Sequence, residues 1–329
     1  MRGSINVPYE LTPIRPPSEA RSLLVRATRN CPWGRCAFCY AMLYNRERFQ
    51  VRPVEDIKQD ILAMKSLDQE ITECSQGYGD FIEQVAMYNG IFWLTNEGVK
   101  TAFIGDADSL IMKTDDLVEV IEFLYWTFPT LERVTSYARA KTVLKKTPDD
   151  LKKLQQAGLS RLHLGLETGD DELLQYVDKG ITAAEMIEAG RRVKEAGLSL
   201  SEYVILGLGG EDRWKQHAEG TARVLNAIDP DFIRIRTLRI LPGTPLEERV
   251  EQGEFKLLSP EGILREERLL IELLEVNSQF ISDHVSNILP IDGKLPEDKK
   301  EMLERIDVVL DGPQDLRANI LQFRELTHL

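Results

Sequence analysis

A chain of 329 residues can form one large α/β domain or a main domain with a small appendage, and a hydrophobic content of 43% is ample for its core. Its 41 basic residues against 54 acidic ones give a formal net charge of −13, which repels phosphate backbones and disfavours non-specific nucleic-acid binding. No apolar run approaches the roughly 20 residues needed to span a bilayer, and residues 1–17 lack the apolar core of a secretory signal, so a cytoplasmic protein with no membrane partner is expected.

Residues 1–21 carry Pro8, Pro13, Pro16 and Pro17, among which neither a helix nor a central strand can persist, and they read as an N-terminal extension. The β-branched, apolar run 22–28 reads as a first strand that ends just before a cysteine-rich loop. After Pro53, apolar residues at 54, 57, 61, 62 and 64 follow helical spacing, with acids in the first turn. Within 68–98, Gly77, Gly79 and Gly90 interrupt aromatic-rich pieces, and this stretch reads as an insertion.

From Val99 the alternation is regular. Strands are predicted at 100–104, 133–137, 161–166, 201–206 and 232–238, and helices at 115–128, 148–157, 183–196 and 214–228. Gly158 and Gly197 each follow a helical turn with basic residues and read as helix stops. Strand–helix units in this rhythm make a parallel sheet, and about six of them with right-handed crossovers curl into a partial (β/α)6 TIM-type barrel over residues 22–246. Beyond the Pro242-Gly-Thr-Pro245 turn, charged amphipathic segments at 262–284 and 296–310 predict a helical C-terminal segment, 247–329.

Three of the four cysteines lie in nine residues, Cys31-Pro-Trp-Gly-Arg-Cys36-Ala-Phe-Cys39, at the C-terminal end of the first strand. Four cysteines are too few for a disulfide framework, and the cluster points to metal or redox chemistry in a reducing compartment. Cys74 stands apart and reads as a small buried hydrophobe. Three thiolates bind three irons of a four-iron cube and leave one iron open, whereas electron-transfer clusters normally use four cysteines. A structural zinc site needs a fourth ligand; no histidine lies near the loop, so zinc is the weaker alternative.

The loop resembles the cluster motif of the radical S-adenosylmethionine (SAM) superfamily, with the closest likeness at Cys36-Ala-Phe38-Cys39. This chain has four residues between its first two cysteines where that family usually has three, and Gly34 can accommodate the longer path. The resemblance implies a [4Fe-4S] cluster on Cys31, Cys36 and Cys39, with SAM chelating the open iron and Phe38 near its adenine. It further implies that Gly105 and Asp106, after the second barrel strand, meet the methionine amino group. Ser136 and Arg139 follow the third strand and are implied to meet the ribose or the carboxylate, for which arginine has two-pronged donor geometry. Glu167, in Gly165-Leu-Glu-Thr-Gly169, corresponds to the family's acid at the fourth strand, and Leu206-Gly-Leu-Gly-Gly-Glu211 to the glycine-rich turn beneath the adenine.

Each of these has a plain structural alternative. Asp108 or Ser109 fits a helix cap, Ser136 and Arg139 fit a solvated surface, and Lys194 fits a helix C-terminus as well as a carboxylate contact. The glycine-rich turn lacks the Gly-x-Gly-x-x-Gly spacing, which argues against a nicotinamide site. Arg234 and Arg236 share one strand face and Arg239 the other; an anionic substrate and a structural ion pair are both open readings. Asp283 and Asn287 fall one turn apart on a continued helix, and His284 between them reads as structural.

As the resemblance implies, the expected activity is reductive cleavage of SAM to a 5′-deoxyadenosyl radical that takes hydrogen from a substrate the sequence does not name, with an electron donor such as flavodoxin or ferredoxin. The Gly-Leu-Glu-Thr-Gly and Pro-Gly-Thr-Pro-Leu segments most resemble the broad group around oxygen-independent coproporphyrinogen oxidase. The alternative is a non-catalytic iron–sulfur or haem-handling chaperone that keeps the same barrel.

Overall fold

The computed structural model describes residues 8–12, 15–39, 48–74, 81–95 and 97–313. Parts of the expected extension (1–7, 13–14), insertion (75–80, 96) and C-terminal segment (314–329) lie outside them. The strands are β1 (Leu23–Arg26), β2 (Thr28–Arg29), β3 (Gln50–Val51), β4 (Thr101–Gly105), β5 (Arg133–Ala138), β6 (Leu159–Glu167), β7 (Ser199–Leu206), β8 (Phe232–Thr237), β9 (Gln279–Ser282) and β10 (Ile291–Lys294). Two compact units divide the chain: Met1–Pro32, Arg46–His163 and Glu195–Leu198 make one, and Trp33–Asn45, Leu164–Lys194 and Ser199–Leu329 the other.

In the first unit β1 runs parallel to β4, with Val25 opposite Ile104, and β4 runs parallel to β5, with Phe103 opposite Thr135. The run predicted as one strand over 22–28 breaks at Ala27: Thr28 and Arg29 turn away to pair antiparallel with β3. Helix Val54–Cys74 buries Ile57, Ile61 and Met64, and it is longer than its apolar spacing suggested because Asp68 continues the buried face with Lys65 as its partner. The stretch read as an insertion therefore begins inside a helix, and a second helix, Phe81–Tyr88, follows. Cys74 is exposed at the end of the first of these helices, a correction to its reading as a buried hydrophobe.

In the second unit β7 pairs parallel with β8, β8 with β9, and β9 antiparallel with β10. Helix starts follow local chemistry. Ser259 and Thr244 accept the backbone N–H of Gly262 and Glu247, each with proline in the first turn. In the first unit Thr147 and Asp150 form a reciprocal capping box around Pro148. Both expected glycine stops adopt the left-handed conformation, Gly158 at φ 111° and Gly197 at φ 81°.

The C-terminal segment is not wholly helical. Helix Pro260–Leu273 ends at Leu274, and β9 and β10 then extend the sheet before helix Lys299–Leu310. Phe280 is fully buried from β9, and Ser282 bonds Asp292 across the hairpin, so alternation replaced the helical period at this point. Asp283 and Asn287 lie in an irregular turn, not one helical turn apart.

Candidate cofactor site

The start of the cysteine loop is tied down in the first unit. Asn30, left-handed at φ 63°, accepts the Cys31 N–H on its own Oδ1 at 2.7 Å and donates its backbone N–H to Asp106 Oδ2 at 3.2 Å. Asp106 also faces Arg26 at 3.2 Å, and its N–H donates to Thr28 Oγ1. Asp106, expected against the SAM amino group, thus bonds the backbone just before the first cysteine. Glu10 of the extension joins Arg26 at 2.6 Å, Arg29 at 2.7 Å and Arg52 at 3.1 Å. Hydrogen bonding from Arg29 and the charges of Arg52 and Arg26 hold the Glu10 carboxyl below its ordinary range against the opposing effect of burial. Gly105 does admit a close neighbour, and in this structure it is Thr12: a methyl group added there would lie 2.5 Å from the Thr12 methyl.

The rest of the loop is held within the second unit by residues 177–180. Trp33 Nε1–H donates to the Asp178 carbonyl at 2.6 Å, Arg35 pairs with the Asp178 carboxylate at 2.9 Å, and its guanidinium lies 4.3 Å from the Trp33 ring centre. A side chain at Gly180 would strike that ring at 2.4 Å. The Ala37 N–H bonds the Val177 carbonyl, and the Leu246 N–H bonds that of Ala37. The long spacer between the first two cysteines is therefore a docking element built from Trp33 and Arg35. Phe38 packs against the apolar cluster of Ala37, Leu173, Val177, Leu208, Leu238, Leu246 and Phe255.

Cys31, Cys36 and Cys39 are partly exposed and form no disulfide, and the Cys39 N–H bonds the Cys36 carbonyl. Among the described residues no three His, Cys, Asp or Glu side chains gather into a closed metal cage. The donor chemistry nevertheless fits a four-iron cluster: three partly exposed sulfurs on a loop whose backbone is held before Cys31 and again at Trp33, Arg35 and Ala37.

Past the loop, Glu167 ends β6 in the left-handed region at φ 63° and pairs with Lys179 at 2.8 Å. Gly165 makes room for that pair, since a Cβ there would lie 2.1 Å from Glu167 Oε1. Lys179 Nζ is also 5.9 Å from the Phe38 ring centre, so one ammonium faces both the acid and the aromatic expected at SAM. Glu202 on β7 is fully buried; burial first, and then the Glu167 charge, push its carboxyl well above the ordinary range, with Lys179 opposing.

The glycine-rich turn is fixed from behind. Both Glu266 oxygens accept the Gly207 N–H at 3.1 Å, and His217 Nε2 lies 3.1 Å from Glu266 while Nδ1 meets Thr168 Oγ1 at 2.7 Å. In the first unit, Ser136 donates its hydroxyl to the Ile104 carbonyl at 2.8 Å. Arg139 sits at the start of helix Ala140–Val143 without a side-chain capping bond, and its backbone N–H donates to Asp108 Oδ1 at 3.2 Å, so Asp108 serves the start of a later helix than the one it precedes. Burial raises the Asp108 carboxyl to about 6, partly offset by bonds from Thr142 and Arg139. Lys194 bonds the Asp229 carbonyl at the end of helix Gly210–Ile228, so it serves a neighbouring helix terminus.

The model of the family described as "Radical SAM superfamily" matches residues 25–219, a span that includes the cysteine loop and the β4 to β7 ends. The chain belongs to the radical SAM superfamily. Members of this superfamily use a [4Fe-4S] cluster and SAM. Among curated proteins, an uncharacterized methyltransferase of Pyrococcus horikoshii is 24% identical over 226 residues, which cover 68% of this chain and 41% of that one. The heme chaperone HemW of Bacillus subtilis is 21% identical over 225 residues, 67% of this chain and 52% of its own. The chain spans less than half the length of the first curated relatives it matches.

The solved structure of the cobalamin-dependent SAM radical enzyme OxsB superposes with a TM-score of 0.53 at 13% identity, covering 94% of this chain and 50% of that one. That likeness shows the radical SAM fold, an α/β partial TIM-type barrel. Glu10, Arg26, Lys179, Glu202, His217 and Glu266 carry no motif, and only their places in the fold reveal them. No helix among the described residues is long and apolar enough to cross a membrane.

Proposed function

We propose that this chain is a radical SAM enzyme that abstracts hydrogen from its substrate. When bound, the cluster supplies one electron for reductive cleavage of SAM to methionine and a 5′-deoxyadenosyl radical. Cys31, Cys36 and Cys39 would hold the cluster, Asp106 fixes the backbone before the first thiolate, and Trp33 and Arg35 fix the backbone between the first two. Glu167 and Lys179 offer an acceptor and a donor for the ribose and carboxylate of SAM, and Phe38 an apolar face for its adenine. On the same resemblance Gly105 is assigned to the methionine amino group and Ser136 and Arg139 to the ribose or the carboxylate of SAM, with the Ser136 hydroxyl bonded in this structure to the Ile104 carbonyl.

The observation that carries this reading is the three-cysteine loop, anchored before its first cysteine and between its first two, inside the stretch that matches the family. An electron donor such as flavodoxin or ferredoxin, in a reducing compartment, completes the proposed system.

The test is anaerobic reconstitution, reduction and chromatography for 5′-deoxyadenosine. Formation of that product is expected, and each of Cys31→Ala, Cys36→Ala and Cys39→Ala is expected to lose the four-iron absorbance and the product together. A full cluster in any of the three variants would overturn the ligand set. The likeness to HemW supports a second reading, a haem-handling chaperone. Intact SAM together with tight haem binding is the result that would favour it.

A further inference from the structure

Parallel neighbours in register project to the same side of a sheet. The pairing of Ser201 with Phe232, Tyr203 with Arg234 and Ile205 with Arg236 therefore puts these six side chains on one face of β7 and β8. The opposite face carries Glu202, in register with Ile233. Ile233 and Ile235 are buried there, Phe280 lies opposite Ile233, and Ser282, two residues on, bonds Glu267 of helix Pro260–Leu273.

Arg234 is only 8% exposed and its Nε is buried without a hydrogen-bond partner. Among the described residues, neither Arg234 nor Arg236 forms an ion pair or donates a hydrogen bond. Their contacts are aromatic: Arg234 lies 5.7 Å from the centre of the Phe232 ring and Arg236 lies 5.3 Å from that of Tyr203. Ser201 Oγ, fully buried on the same face, has no partner either. At the end of β8 burial, and then the charges of Arg236 and Arg239, depress the His284 imidazole, with the Asp283 charge opposing them. A guanidinium with unused donors in a dry setting, inside a chain of net charge −13, has no structural reason to lack a carboxylate.

We propose that Arg234 and Arg236 form the anion subsite for the substrate, taking its carboxylate or phosphate group in their planar forks, with Phe232 and Tyr203 as the aromatic floor. An uncompensated buried cation is retained at a loss of stability because the ligand supplies the missing charge. A structural arginine would show the opposite dependence.

This rests on the radical SAM reading only in naming the anion a substrate, and its test uses no SAM turnover. The thermal midpoint of the anaerobically reconstituted protein is measured with inorganic phosphate, with succinate, and with sodium chloride at matched ionic strength. Wild type is expected to be stabilised by phosphate or succinate beyond chloride, and whichever anion acts identifies the group. Arg234→Met is expected to match or exceed the wild-type midpoint without ligand and to lose the anion response, whereas exposed Arg239→Met keeps it. Arg234→Lys, which keeps the charge but not the fork, is expected to fold as wild type does with a several-fold weaker response.

A Met variant that is less stable or fails to fold, or a wild type that ignores both anions, overturns the proposal. The dissociation constant for SAM provides the remaining arm. Arg234→Met should leave it within about twofold; a tenfold loss would move the arginines into the cofactor site and overturn the substrate assignment. Absence of 5′-deoxyadenosine in wild type would instead refute the enzyme while leaving the anion response to be read.

Discussion

Arg52 and Arg234 are buried to nearly the same extent, 5% and 8% exposed, in the first and second unit, each with an Nε that lacks a hydrogen-bond partner, and they differ in their charged neighbours. Arg52 meets Glu10 at 3.1 Å, Asp60 at 2.7 Å and the Arg26 carbonyl at 2.7 Å. Arg234 meets an aromatic ring and no acid among the described residues. The first pattern is what desolvation demands of a charge that holds a fold together, because the ionised group must recover inside the protein the hydrogen bonds it lost from water. The second leaves that debt open. Equal burial thus separates a charge kept for structure from one kept for a ligand, and neither residue type nor exposure alone would have told them apart.

The sharpest way to break the comparison is to make one substitution at both places. Arg52→Met takes one of three arginines from Glu10 and leaves the half-buried Asp60 without its cation, so a loss on the order of 2–3 kcal/mol is expected in denaturant titrations. Arg234→Met is expected to show none. If the two variants fall together, the distinction between the two regions fails.

Asp108 tests the intermediate case, a buried acid whose partners do not fully repay its burial. Its carboxyl is raised from 3.8 to about 6, with burial the largest cause. The folded state therefore binds the proton more tightly than the unfolded chain. Asp108 adds no penalty below the unfolded value of 3.8, and it weakens the protein progressively as pH rises toward about 6. The penalty above that pH is on the order of 2–3 kcal/mol. In Asp108→Asn the stability difference from wild type should move in the variant's favour between about pH 4 and pH 6 and stay flat above. A flat difference throughout would show that Thr142 and Arg139 satisfy the carboxylate fully.

Much of this was legible in the sequence because it depends on local chemistry. The strand-to-helix rhythm from Val99 onward and the glycine stops at Gly158 and Gly197 are set by neighbours within one turn. The cysteine loop was legible for the same reason, since three thiols in nine residues leave few alternatives. The C-terminal segment misled because amphipathic spacing in residues 274–284 suits either period, and pairing with β8, a partner 47 residues away in register, decided for a strand. The bonds of Asp106 to Arg26 and Asn30 were not legible, because those residues reach it only once β1 and β4 pair. Lys179 was invisible: nothing near it in sequence announces that Glu167 will turn left-handed and point at it. Sequence reading also placed Arg234 and Arg236 on one face, but whether an acid would meet them could be read only from the fold.

Trp33 marks the mild end of the series, a half-buried polar group with no charge. Its ring fills the space that Gly180 leaves, and its Nε1–H gives the Asp178 carbonyl a bond of 2.6 Å. Trp33→Phe keeps most of the aromatic surface and removes that donor, so the loss of stability should be about 1 kcal/mol. Arg35 would keep its pair with the Asp178 carboxylate and its seat over the smaller ring, which limits the damage to the loop. The revealing measurement is therefore iron bound per chain after reconstitution, set beside the thermal midpoint. If the four-residue spacer is a docking element, Trp33→Phe should load iron nearly fully, while Trp33→Ala, which empties the space beside Gly180, should load less than half as much. Equal loading by both would mean that the cysteines alone shape the loop, and the anchoring at 177–180 would then concern stability rather than the cofactor.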